Sequence, residues 1–241
     1  MELKGIGALV TGASSGLGEA LSRQLARSGA RVAMVARGEA RLMAAVERIR
    51  AEGGEVHAIP GDLGRQEDIH RIGGAAAALV GPVSLLVNNA STLGPVPLQP
   101  LLDTECEELE RALEVNLVGP FRLAKLVAGA MALRGLGVVV NVTSDASVNA
   151  YERWGAYGAS KAALDQLTRI WAAELEGTGV RMLAIDPGEM DTPMHAEAMP
   201  DADRSALPSA VSQAERLLAV IRRAEHWPSG ARIELTKEVL R

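Results

Sequence analysis

The chain has 241 residues, 48% apolar and 23% charged, which is enough to bury a substantial core. Its net charge of −5 argues against nucleic acid or an anionic membrane surface as the main partner. A lone cysteine, Cys106, excludes an internal disulfide and favours a reducing, cytoplasmic setting.

The N-terminal MELKGIGALVTG shows no signal-peptide pattern and runs straight into a glycine-rich loop. From there, Val- and Ile-rich runs alternate with segments of helical period. Residues 6–10, 31–36, 55–59, 83–88, 137–142 and 179–186 read as strands, most of them continuously apolar, as in strands covered on both faces. Helix-length segments lie at 17–28, 39–52, 65–80, 104–132 and 156–176. The second is clearest, with Leu42, Val46 and Ile49 on one face and Glu39, Arg41, Glu47 and Arg48 on the other. Residues 188–208, rich in Pro, Asp and Met, have no clear period and read as a functional loop or lid. A helix over 209–225 and a short strand over 231–235 complete the pattern. No run approaches the roughly 18–20 apolar residues of a membrane span. The expected fold is one doubly wound, Rossmann-type α/β domain over 1–241, its sheet mostly or wholly parallel with helices on both faces.

LVTGASSGLGEAL joins the first strand to the first helix and carries Gly12, Gly16 and Gly18. Such glycines allow a tight turn, close approach of a pyrophosphate and close helix–strand packing, while the helix N-terminus favours an anion. The spacing is G-x3-G-x-G, not the commoner G-x-G-x-x-G. A carboxylate ending the second strand would bind the ribose hydroxyls of NAD. Here MVARGEARL gives Ala36 and then Arg37, with no carboxylate before Glu39. The guanidinium fork suits a phosphate, and Ser14 and Ser15 offer neutral donors, so NADP(H) is expected over NAD(H).

TGASSGLG after the first strand, NNA (Asn88–Ala90) ending the fourth, and Tyr157-x3-Lys161 together resemble the compact branch of the short-chain dehydrogenase/reductase family, over about residues 5–192. The resemblance implies that Gly12, Ser14, Ser15, Gly16, Leu17 and Gly18 cradle the cofactor. Asp62 and Leu63 would hold the adenine ring, with Asn89 and Ala90 beside the adenosine half. Pro187 and Gly188 would bend the chain around the nicotinamide, and Thr192 would bind its carboxamide or a phosphate. Ser91 stands where relatives usually have glycine.

Tyr157 and Lys161 fall at i and i+4, on one helix face. An ammonium beside the phenol stabilises the phenolate and lowers a pKa that is otherwise near 10. The resemblance assigns Tyr157 as acid for carbonyl reduction and base for alcohol oxidation, with Lys161 also on the nicotinamide ribose. Ser144, 13 residues before Tyr157, would hold and polarise the carbonyl, and Asn116 would help keep a water in a relay with the lysine. Tyr151 and Trp154 either line a pocket or simply pack, while Glu189, Asp191 and His195 read as lid residues. No Cys/His cluster has metal-site spacing.

These features point to an NADP(H)-dependent oxidoreductase moving a hydride between nicotinamide and a small carbonyl or secondary alcohol. A silent NADP(H)-binding regulator and an NAD-linked alcohol dehydrogenase are the alternatives. The family pattern implies a homodimer or homotetramer through the fourth and fifth helices and the last strand. The tail SGARIELTKEVLR lacks the glycine-rich end usual there, which favours the dimer.

Overall fold

The apolar runs become the strands of one sheet in a computed structural model that describes residues 1–236. These strands are β1 (Gly7–Thr11), β2 (Arg31–Ala36), β3 (Val56–Pro60), β4 (Val83–Asn88), β5 (Gly137–Val142), β6 (Val180–Asp186) and β7 (Arg232–Glu234). Their order is β3-β2-β1-β4-β5-β6-β7, and every neighbouring pair is parallel. Residues 237–241, the end of the tail whose lack of a glycine-rich segment favours a dimer, lie outside the described residues.

β1 and β5 are buried at every residue, which explains why they read as unbroken apolar runs. Alternation along each strand decides which layer a side chain joins. Ala8, Val10, Val32, Met34, Val138 and Val140 pack beneath α1 (Gly16–Arg27), α2 (Glu39–Ala51) and α8 (Ala210–Arg222). Leu9, Ala33, Val35 and Val139 pack against α3 (Gln66–Val80), α5 (Gly119–Arg134) and α6 (Gly155–Glu174). In α2 the stripe Leu42, Val46, Ile49 is buried as its periodicity predicts, joined by Ala45.

The expected helix over 104–132 is more complex. α4 (Cys106–Leu113) passes through a π-helical turn, Glu114–Val118, into α5. That turn accommodates an extra residue, a departure that apolar spacing does not reveal. The continuous helical stretch Cys106–Arg134 is long and apolar enough to cross a membrane, although no unbroken apolar run of that length occurs in it. An 18-residue window in it has mean hydropathy 1.2, and half of that window is buried inside the fold. Leu123, Val127 and Met131 of α5 account for part of this apolarity by filling the core.

The loop expected at 188–208 contains a short helix, α7 (Pro193–Ala198). Thr192 caps it by accepting from the His195 amide at 3.3 Å, with Pro193 in the first helical position, where its missing N–H costs no hydrogen bond. The Asp191 amide donates to the Pro208 carbonyl at 3.0 Å, tying the ends of the segment together.

From β1 the chain builds outward to β3, then returns to place β4 on the other side of β1. This reversal opens a crevice at the C-terminal ends of the central strands, where open parallel sheets hold ligands.

Candidate active site

The crevice is a cleft of about 510 Å³. Its wall contains each residue assigned to the cofactor from sequence, save Gly18, and each assigned to catalysis, save Asn116. Gly12 adopts φ +65°, and a Cβ there would lie 2.8 Å from the Ala90 Cα. Gly18 stands behind the wall, where an added Cβ would meet the Gly12 carbonyl oxygen at 2.3 Å. Its glycine is therefore needed for helix–strand packing. Ser15 leads into α1 without a side-chain cap, so the first amides of the helix stay available to an anion. A cradle that a Cβ would fill and a helix end with open amides fit the pyrophosphate of a dinucleotide.

Asn89 holds this loop in shape. Its Nδ2 donates to the Thr11 and Gly12 carbonyls at 2.9 and 3.2 Å, while Thr11 Oγ1 accepts from the Asn89 and Ala90 amides. The amide protons of Asn89 thus serve the glycine turn, although Asn89 and Ala90 both border the cleft.

At the far end, Arg37 leaves β2 exposed on the cleft wall, and Arg41 joins it one helical turn later. The Asp62 carboxylate accepts from the Gly64 amide at 2.9 Å and from Arg111 Nη2 at 2.7 Å. Burial pushes its pKa up, but that amide and the arginine outweigh it and hold the carboxyl below the usual range.

Tyr157 and Lys161 stand near the start of α6, both buried. Lys161 Nζ lies 5.5 Å from the phenol ring centroid and donates to the Val142 carbonyl at 2.8 Å. Here the structure departs from the expected lowered phenol. Burial pushes Tyr157 up to about 12, the Asp186 and Asp145 charges add to this, and hydrogen bonds with Ser144 and Ser91 oppose it. Lys161 is pushed down to about 8 by burial, against the opposing charge of Asp165. In this geometry the ammonium is directed to the end of β5, and desolvation dominates the phenol.

Ser144 follows β5 and caps a single 3₁₀ turn, Asp145–Ser147. Its Oγ accepts from the Ala146 amide at 3.2 Å and donates to Asp145 Oδ1 at 3.1 Å. Behind it, Arg232 of β7 reaches four groups: the Ser144 carbonyl (3.0 Å), Asp186 (2.8 Å), Asp165 (3.3 Å) and Glu234 (2.8 Å). Burial alone would weaken the hold of Arg232 on its proton, but the Asp186 and Asp165 charges prevail and raise its pKa.

Asn116 is fully buried in the π-helical turn. It accepts from the Thr92 amide and the Ser91 hydroxyl, and donates to the Thr92 carbonyl and Ser160 Oγ. It therefore braces the loop after β4 against the residue preceding Lys161.

The remaining wall is formed by Leu93, Met190, Met194, Trp154, Tyr151 and Glu189, among others. The Trp154 ring stands edge-on to Tyr157 at 5.6 Å. Tyr151, which the sequence left between pocket and packing, borders the cleft and donates to Asp145 Oδ2 at 2.7 Å. Sequence reasoning missed Arg41, Asp145, Asp165 and Arg232. Arg41 had a signal, its i+4 spacing from Arg37, and Asp145 directly follows Ser144. The other two meet only through the fold.

A family model described as short chain dehydrogenase matches residues 7–203. The chain belongs to the short-chain dehydrogenase/reductase family. It is 38% identical over 198 residues to a short chain dehydrogenase of Pseudocercospora fijiensis, an alignment covering 81% of this chain and 63% of that protein. It is 36% identical to an L-xylulose reductase of Bos taurus, with coverage of 85% and 80%. Among solved structures, a variant of actinorhodin polyketide ketoreductase described with NADPH superposes with a TM-score of 0.85. That pair shares 29% identity and 94% coverage of each chain.

Proposed function

We propose that this short-chain dehydrogenase/reductase uses NADP(H) to reduce a small ketone or aldehyde to its alcohol. The observation that carries the reading is the convergence of Tyr157, Ser144 and Lys161 on one cleft, beside a glycine turn that fits a pyrophosphate. When bound, the nicotinamide supplies the hydride for the carbonyl carbon. Tyr157 gives its proton to the carbonyl oxygen, a role suited to a phenol that burial keeps protonated. Ser144 helps hold that oxygen, and its backbone is held in turn by Arg232. Lys161 binds the nicotinamide ribose and supplies positive charge beside the phenol. Asn116 acts by bracing the Ser91–Thr92 loop and helping the water relay to Lys161.

Arg37 and Arg41 together form a cationic end for the additional phosphate of NADP, next to neutral Ser14 and Ser15. A ketoreductase of the same fold is described with NADPH, which supports this choice. Gly12, Gly16 and Leu17 cradle the pyrophosphate, Asp62 and Leu63 border the adenine, and Pro187, Gly188 and Thr192 border the nicotinamide. We take a homodimer as the assembled form, through a helical face on which Phe121, Leu126 and Ile170 are partly exposed.

The test is to follow NADPH oxidation over a broad panel of ketones and aldehydes, with NADH in parallel. Turnover with NADPH preferred is expected. Tight NADPH binding without turnover of any carbonyl would show a silent cofactor-binding protein instead.

A further inference from the structure

Ser144 has one hydroxyl proton, and in this structure it is directed to Asp145 Oδ1 at 3.1 Å. Its oxygen also accepts the Ala146 amide at 3.2 Å and shares a hydrogen bond with the Tyr157 hydroxyl. For Ser144 to donate to a substrate carbonyl, that proton must turn away from Asp145. The exposed carboxylate then gives up that donor and can take another in its place, from water or from the substrate. Its other oxygen keeps the Tyr151 hydroxyl at 2.7 Å, which fixes the carboxylate over the site.

The surrounding charges sharpen the point. Glu189 and Asp186 share the cleft wall with Asp145, and Glu189 adds its negative charge at Tyr151. Asp186 is already answered by Arg232 at 2.8 Å, whereas Asp145 is held by hydroxyls alone among the described residues. Two polar atoms in the same wall, Thr143 Oγ1 and His195 Nδ1, are buried without a hydrogen-bond partner among the described residues. The substrate half of the cleft therefore offers acceptors and polar contacts beside the apolar surfaces of Leu93, Met190 and Trp154.

We propose that Asp145 is the specificity-determining residue of this cleft, selecting carbonyl substrates that carry a hydrogen-bond donor, hydroxyl or ammonium, on the carbon next to the carbonyl. The inference rests on the reductase reading above. In an α-hydroxy or α-amino ketone the donor lies within hydrogen-bond length of its own carbonyl oxygen. With that oxygen between Tyr157 and Ser144, the donor meets Asp145 Oδ1, and the Ser144 proton is released to the carbonyl. Each donor then has an acceptor, and the exchange leaves no charged oxygen unanswered. A ketone lacking the donor leaves that place to water, and a ketone with an adjacent carboxylate is repelled.

Three matched ketones test this: acetophenone, α-hydroxyacetophenone and α-aminoacetophenone, each with saturating NADPH. For the wild-type protein, kcat/KM is expected to be about tenfold or more higher for the two donor-bearing ketones, the range of a hydrogen bond to a charged group. Asp145→Ala is expected to bring the ratios of both donor-bearing ketones to acetophenone near one. Asp145→Asn, nearly isosteric, is expected to lose the amino preference and keep part of the hydroxy preference. It also serves if the alanine variant does not fold. Equal turnover of the three by the wild type, or ratios unchanged in both variants, overturns the specificity and leaves the reductase reading standing. No turnover of any of the three, with NADPH binding intact, overturns the specificity, and silence of the whole carbonyl panel as well overturns both.

Discussion

The Arg232 guanidinium, on the last described strand, donates to the main-chain carbonyl of Ser144 at 3.0 Å. The same group engages Asp186, at the turn expected to wrap the nicotinamide, and Asp165, one helical turn beyond Lys161. One side chain thus sets the serine loop, the Pro187–Gly188 turn and α6 relative to each other. Removing it in Arg232→Met strands two buried carboxylates, and a loss of about 3 kcal/mol of stability is expected. Thermal melting reads that loss. A positioning role further requires kcat to fall below its wild-type value at temperatures where the variant stays folded, with NADPH affinity kept and Arg232→Lys partly restoring kcat.

Tyr157→Phe keeps the ring that packs edge-on to Trp154 and deletes only the hydroxyl. It is expected to fold and to bind NADPH like the wild type while losing about 10²–10⁴-fold in kcat. Cofactor fluorescence titration and single-turnover rates separate the two effects. Wild-type turnover in this variant is incompatible with Tyr157 as the proton donor.

Arg37→Ala removes a guanidinium from the adenosine end and leaves the glycine turn untouched. NADPH affinity is expected to fall about tenfold, the range of one charge-assisted hydrogen bond, with NADH affinity nearly unchanged. Adding Arg41→Ala is expected to deepen the NADPH loss alone. Equal losses for both cofactors assign the arginines to something other than the additional phosphate.

The pH dependence follows from the phenol, held up to about 12 mainly by burial. Reduction uses Tyr157 with its proton on, so the phenol itself supports activity through the neutral range and withdraws it only at high pH. Lys161, pushed down to about 8 by burial, gives up its charge earlier. Oxidation of the alcohol uses the phenolate, so its rate climbs as pH rises toward the phenol pKa. Initial rates in both directions over about pH 6 to 10 check the sign. An oxidation rate that falls with pH contradicts the assignment.

The strands and most helices were legible because burial on two faces leaves unbroken Val and Leu runs, as at β1 and β5. The glycine turn and the Tyr157–Lys161 spacing were legible because close approach and one-turn separation are local demands. Three features were not. The π-helical turn leaves the apolar residues of 104–132 still helix-like. The phenol's raised pKa depends on how completely the fold dehydrates Tyr157, and residue spacing carries no measure of that. Arg232, Asp165 and Asp186 lie on separate elements, and only the pairing of β6 with β7 and the packing of α6 unite them.

The wide turn at Glu114–Val118 means that the long helix keeps two different counts. Upstream of it α4 presents one angular phase, and downstream α5 presents another, with Asn116 in the overlap. Deleting a single residue there would close the wide turn into ordinary α-helix and remove the displaced position that Asn116 occupies. The chain would keep almost all its helix, yet Asn116 would swing away from Ser160 and Thr92. This stretch is therefore sensitive to length more than to composition, and spectroscopic helix content would not report the damage.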